Sequence, residues 1–333
     1  MNIDTLLLLT LQRMRFLKTS EKLIVMKHCS SAETLPGKKD LIQMIGRSFT
    51  AEYNRDQLLI QAENDISIML KMGINILFIG SDTYPYQLKE IYNPPFILFY
   101  RGILPQQGTL NISVVGTRKA TGIALKEAYA LSFDLARSGS GIISGLAAGI
   151  DSAAHKGAIA GKSYTAAVFG CGIDRIYPSA NKDLASSILD NGGALLSEYP
   201  PGTIPARYNF PERNRIVSAL SEAVVVVESP LNSGALITAD FALEQGREVF
   251  VLHIPSETAA GAGTMNLIKE GASSVSTAIE LLNSLSYKTE DLKSRININH
   301  DYDSLETGRF LAARFLAELR GKEICREGTY YSL

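Results

Sequence analysis

The segment Arg207-Tyr208-Asn209-Phe210-Pro211-Glu212-Arg213-Asn214-Arg215 gathers three arginines, two aromatics and two asparagines around one proline. Guanidinium groups match phosphate oxygens bidentately. Aromatic faces stack on exposed bases without demanding a sequence, and asparagines can bond base edges or backbone. The segment reads as a loop just ahead of a short helix, with Phe210 flanked by cations. The competing reading is a structural loop whose arginines pair with nearby acids such as Glu198 or Glu212.

Three further segments carry groups suited to anions. Gly116-Thr117-Arg118-Lys119 follows an apolar run and places two cations beside a glycine. Ser144-Gly145-Leu146-Ala147-Ala148-Gly149-Ile150-Asp151 offers a serine and two glycines ahead of a helix, an arrangement suited to cradling an anion on free amides. Ser233-Gly234 opens another helix, where Ser233 or Asn232 can act as N-cap. Each segment alone is equally a tight, capped turn. Asp151 and His155 stand four apart, which predicts a hydrogen bond on a helix surface in preference to a catalytic pair. The GxGxxG fingerprint and its ribose-binding acid are missing, which argues against a dinucleotide cofactor.

These segments must be placed by the elements between them. Leu110–Val115, Gly141–Ser144, Tyr164–Phe169, Ala194–Ser197, Ala223–Val227 and Glu248–Leu252 read as strands, with helices between them. The four valines of Ala223–Val227 suit a central strand buried on both faces. Such alternation implies an α/β fold, a doubly wound parallel sheet whose ligands bind beyond the carboxyl ends of the strands. The anion-suited segments all lie at those ends. Residues 1–73 read as a small helical domain, with Leu58, Leu59, Ala62, Ile66, Met69 and Leu70 at helical spacing and Gly73 as a stop. Residues 74–109 read as a proline-rich connector, 110–286 as the α/β domain, and 287–333 as a short tail with an amphipathic helix around Phe310–Leu319.

With 33 basic and 34 acidic residues, the net charge of −1 excludes a polycationic coat, so nucleic-acid binding would have to be local. The three cysteines, Cys29, Cys171 and Cys325, show neither metal spacing nor a disulfide framework. The apolar stretch Leu6–Leu11 is far short of a membrane span. A cytoplasmic protein is expected.

Taken together, the segments resemble the DNA-processing protein A family, known as DprA or Smf. The resemblance runs in order from about Ile79 to Ala272. It is carried by Tyr84-Pro85 with Pro94-Pro95, Val115-Gly116-Thr117-Arg118, Ser144-Gly145-Leu146-Ala147, Gly149-Ile150-Asp151 with Ala154-His155, and Gly170-Cys171-Gly172-Ile173-Asp174. It continues through Ser197-Glu198-Tyr199-Pro200-Pro201-Gly202, Phe210-Pro211, Arg213-Asn214-Arg215-Ile216, Ser233-Gly234 and Ile237-Thr238-Ala239. The resemblance implies an extended Rossmann-like domain without cofactor, preceded by a sterile-alpha-motif-like helical module. It implies a homodimer that binds single-stranded DNA, protects incoming strands during natural transformation and helps load RecA, with no catalytic activity.

By the resemblance and the residue chemistry together, the expected DNA-binding residues are Gly116, Thr117, Arg118, Lys119, Ser144, Gly145, Arg207, Phe210, Arg213, Asn214, Arg215, Ser233 and Gly234. Arg207 stands where the family pattern has lysine, and Glu212 is an acid inside the basic segment. The region after Tyr287 is too short for the winged-helix domain of many relatives. The alternative is an enzyme resembling the lysine-decarboxylase-like nucleotide phosphoribohydrolases, echoed by Thr238-Ala239-Asp240. Leu236-Ile237 occupies the place of that class's glycine-rich loop.

Overall fold

The computed structural model describes residues 4–106, 108–254, 259–285, 323–326 and 329–332. Four helices come first: α1 (Thr5–Arg13), α2 (Thr19–His28), α3 (Lys38–Ile45) and α4 (Arg55–Met72). The Asn54 side chain starts α4 by accepting the Gln57 amide at 3.1 Å, and Gly73 ends it as the spacing predicts. β1 (Asn75–Phe78) and β2 (Ile97–Gly102) follow, separated by the one-turn α5 (Tyr86–Lys89). The Tyr84 hydroxyl donates to the Pro95 carbonyl at 2.6 Å and ties the proline-rich connector to itself.

The chain then alternates: β3 (Asn111–Val115), α6 (Gly122–Arg137), β4 (Gly141–Ser144), α7 (Ile150–Ala160), β5 (Thr165–Phe169), α8 (Lys182–Asp190), β6 (Ala194–Ser197), α9 (Asn209–Ala219), β7 (Ala223–Val226), α10 (Gly234–Glu244), β8 (Glu248–Leu252), α11 (Ala262–Lys269), β9 (Ser273–Val275) and α12 (Ala278–Ser284). One sheet runs β1-β2-β6-β5-β4-β3-β7-β8-β9. Its seven strands from β6 to β9 are parallel, while β2 joins β6 antiparallel and β1 joins β2 antiparallel. The connector is therefore part of the sheet and not a separate span.

Burial explains the strand composition. Val224 to Val226 face Ser113 to Val115 across the β3–β7 pair, and all are buried. Alternate residues serve opposite faces. Ala167, Phe169 and Leu195 pack with Leu7, Leu9 and Leu11 of α1 and with Leu184 and Ile188 of α8. Val168, Leu196, Val224 and Val226 pack with Ile216 and Val217 of α9 and with Ala235 and Ala239 of α10. This division follows from the strand order, because the chain moves outward from β3 to β6 and then returns beside β3 to run the other way, which moves the crossovers of one hand from one face to the other.

Residues 1–278 form one unit, and the segments expected at 1–73, 74–109 and from 110 onward share its two cores. Residues 279–333 form a second unit. Beyond α12 its described part is an antiparallel pair, β10 (Glu323–Arg326) and β11 (Thr329–Ser332), strands that the helical reading of the tail did not anticipate. The amphipathic helix expected around Phe310–Leu319 lies outside the described residues. No helix among the described residues is long and apolar enough to cross a membrane.

Candidate nucleic-acid interface

The strand order reverses between the parallel neighbours β3 and β7, and a cleft of about 640 Å³ opens beyond their carboxyl ends. This is the switch point where open α/β sheets bind ligands. Gly116 to Lys119 line it from the loop after β3, Ser233 and Gly234 from the start of α10, and Arg207, Phe210 and Asn214 from in and just before α9. Of the thirteen residues expected from sequence, all but Ser144 and Arg215 line this cleft.

The loop after β3 is pinned from below. Glu228, 2% exposed, accepts the Thr121 amide at 2.8 Å and the Thr121 hydroxyl at 3.1 Å on its carboxylate. Its carbonyl takes the Thr117 amide at 2.7 Å. Thr121 in turn caps α6 by accepting the Ala124 amide at 3.2 Å. With the backbone so held, Arg118 and Lys119 project outward, both exposed. The Arg118 guanidinium lies over the Phe210 ring, 5.1 Å from its centroid. Phe210 also meets Tyr177 at 5.3 Å between ring centroids, and a Cβ on Gly170 would collide with it. Arg207 is exposed beside it. Neither Arg118 nor Arg207 forms an ion pair among the described residues.

The loop after β4 departs from the anion cradle expected there. The amides of Gly145 and Ala147 donate to Asp151 Oδ2 at 3.1 and 3.2 Å. Leu146 adopts φ +57°, a left-handed conformation that turns the flanking amides to one side. The chain thus supplies its own anion to these two amides, while Gly145 and Ala147 still line the cleft. Ser144 is fully buried, its hydroxyl donating to the Val114 carbonyl at 2.7 Å, which removes its side chain from the expected set. Burial raises the Asp151 carboxyl above its usual range, opposed by Arg213 nearby and the two amides.

Residues 209–219 form α9, where a loop was expected through Arg215. Pro211 sits in the first turn, where its missing N–H costs nothing. Helical geometry then separates the arginines, because Arg213 and Arg215 are about 200° apart around the axis. Arg213 is 4% exposed beneath the cleft, donating to the Gly145 carbonyl at 2.8 Å and to the Val168 carbonyl. A Cβ on Gly145 would strike this guanidinium, so a side chain there would have to displace Arg213. Arg215 points away from the cleft and binds Glu198 at 2.6 Å, 6% of its side chain exposed. It belongs to the core pairing that was the competing reading of the segment. Asn214 does line the cleft, and its amide donates to the Gly234 carbonyl at 2.9 Å. Ser233 caps α10 by accepting the Ala235 amide at 3.1 Å.

Asp151 and His155 do not pair. His155 is fully buried and its Nδ1 lies 2.7 Å from the Thr165 hydroxyl. Glu228 and Asp151, the two carboxylates that shape the cleft, were not singled out as site residues from sequence. The available signal was an acid soon after, or opposite, a turn whose amides need acceptors. Thr238 donates its hydroxyl to the Gly234 carbonyl at 3.2 Å, and Asp240 is exposed and does not line the cleft, so the echo of a phosphoribohydrolase ending gains no support.

Residues 75–286 match the family described as DNA recombination-mediator protein A. The chain belongs to this family. Across nearly its whole length it is similar to Protein Smf of Borreliella burgdorferi, 34% identical over 321 residues, covering 96% of this chain and 99% of that protein. It is 42% identical over 217 residues to the DNA processing protein DprA of Bacillus subtilis, covering 65% of this chain and 72% of that one. Among solved structures, DprA of Streptococcus pneumoniae superposes with a TM-score of 0.69 at 32% identity, covering 85% of this chain and 98% of that chain. DprA of Helicobacter pylori, whose structure is described for its single-stranded DNA binding mode, gives a TM-score of 0.57 at 29% identity, covering 64% and 96%. Membership covers the sheet, the switch-point cleft and both of its cation-bearing walls.

Proposed function

We propose that the switch-point cleft binds single-stranded DNA, and that this chain acts without a cofactor as a recombination mediator. In that role it protects incoming strands during natural transformation and helps load RecA, working as a homodimer. The observation that carries the reading is Arg118 stacked on Phe210 beside Arg207, which forms no ion pair among the described residues. Two exposed cations flank one half-buried ring, which suits alternating phosphates and bases. A duplex hides its base faces and offers this ring nothing. The H. pylori relative, studied for its single-stranded DNA binding, supports the same reading.

Titrating fluorescent oligo-dT, single- and double-stranded, at two salt concentrations tests it. Preference for the single strand, with affinity falling as salt rises, is the expected result. Equal affinity for duplex, or no binding at low salt, overturns the reading. Nucleoside monophosphates incubated with the protein are expected to remain intact.

A further inference from the structure

A second groove, of about 510 Å³, lies where α1 and α2 meet the sheet, lined among others by Gln12, Arg15, Lys18, Lys22 and Tyr199. The two cavities share the first turns of α9: Phe210, Pro211 and Asn214 line the switch-point cleft, and Glu212 lines this groove. Phe210 and Tyr208 are two residues apart and so project to opposite sides of the helix start. Phe210 carries Arg118 on its ring, and Tyr208, 65% exposed, carries Arg15, whose guanidinium is 5.9 Å from the Tyr208 centroid and 5.6 Å from that of Tyr199. The cation-on-aromatic arrangement of the cleft is thus repeated at the mouth of the groove.

The charges of the groove divide into spent and free. Arg47 is held by Glu21 at 2.5 Å, and Glu198 by Arg215. Arg15 meets Glu212 only at 3.9 Å, with both side chains well exposed, and Lys18 is exposed at the start of α2 without an ion pair among the described residues. Deeper in the groove, polar groups lack adequate partners. The Gln12 side-chain Oε1 is buried with no hydrogen-bond partner, and the Lys22 ammonium, on a side chain equally buried, has the Gln12 carbonyl at 3.4 Å and the Phe96 ring, 5.3 Å from its centroid. Gln12 and Lys22 both line the groove, and an acceptor and a donor side by side suit a ligand that carries both, as a nucleotide does.

We propose that a single strand leaving the switch-point cleft crosses the α9 N-terminus and continues into this groove. Arg15 and Lys18 then hold phosphates beyond those at Arg118 and Arg207, and Tyr208 offers a second stacking surface. The N-terminal helices become part of the DNA site. This rests on the reading of the cleft given above.

The test compares oligo-dT of about 6 nucleotides, long enough for the cleft alone, with oligo-dT of about 20. Arg118→Ala weakens binding of both lengths. Arg15→Ala and Tyr208→Ala each weaken the longer strand about tenfold and leave the shorter within about twofold. Glu212→Gln tightens the longer strand, a gain that misfolding does not produce, and Arg15→Lys restores most of the loss. Wild-type affinity for both lengths in Arg15→Ala and Tyr208→Ala, while Arg118→Ala weakens both, overturns the extension and leaves the cleft intact. Wild-type affinity in Arg118→Ala overturns the cleft reading, and with it the extension.

Discussion

The Arg118 guanidinium sits over the Phe210 ring at 5.1 Å although the two residues are separated by three strands and three helices in the chain. This pairing joins the wall built after β3 to the start of α9, and it places a cation and an aromatic face on the same rim. Most of the expected consequences for DNA binding follow from it.

Arg118→Ala and Arg207→Ala are each expected to weaken single-strand binding and to reduce the logarithmic salt slope by about 0.7, the contribution of one neutralised phosphate. Both side chains are exposed, so the melting temperature should hold. Salt titrations of the two folded variants check this; unchanged slopes in both would remove these loops from the interface.

Phe210→Ala should cost about 1–3 kcal/mol of binding with the salt slope nearly preserved, because stacking involves no counterion release. The ring also touches Tyr177, so some loss of stability is expected. Affinity per folded molecule and melting temperature, measured on the same preparation, separate the roles. Preserved affinity with a large drop in melting temperature would assign Phe210 to packing alone.

Arg215→Ala is expected to behave in the opposite way. It leaves Glu198 without its partner in a largely buried site, at a cost of about 3 kcal/mol in stability. Its guanidinium faces away from the cleft, so DNA affinity of the folded fraction should match wild type. Chemical denaturation alongside oligo-dT titration reads both quantities, and a selective loss of affinity would contradict the placement.

His155 provides a pH-dependent contribution to stability. Burial pushes its imidazole down from its usual 6.5 to about 3, with the charge of Arg213 adding to the effect. The folded state therefore keeps His155 neutral where the unfolded chain takes up a proton. Its contribution is complete above about pH 6.5 and is lost as the pH falls toward 3. Melting temperatures of wild type and His155→Gln between about pH 7 and 4 should converge as the pH falls, wild type losing more. Parallel curves would show that this histidine titrates alike in both states.

Much of this molecule was legible in the chain because the deciding interactions are local. Strand after strand ends where its apolar run ends, Gly73 stops α4, and the carboxyl-end loops carry the cations, since a parallel sheet buried on both faces requires continuous apolar strands with polar turns between them. The segment around Pro211 reads as a loop in sequence, whereas Pro211 stands in the first turn of α9, and that one difference redistributes the arginines. In sequence, Arg207, Arg213 and Arg215 form a cluster. In the fold, Arg207 stays exposed ahead of α9, and the helix sends Arg213 beneath Gly145 and Arg215 to Glu198. The fate of the amides at Gly145 and Ala147 was equally out of reach, because whether an anion cradle is open or filled depends on the rotation that brings Asp151 back over its own loop. Residue types and spacing determined which groups stand at the sheet edge. Only the tertiary structure decided which of those groups remain free, since charge becomes available to a ligand only after the chain's own donors and acceptors have been satisfied.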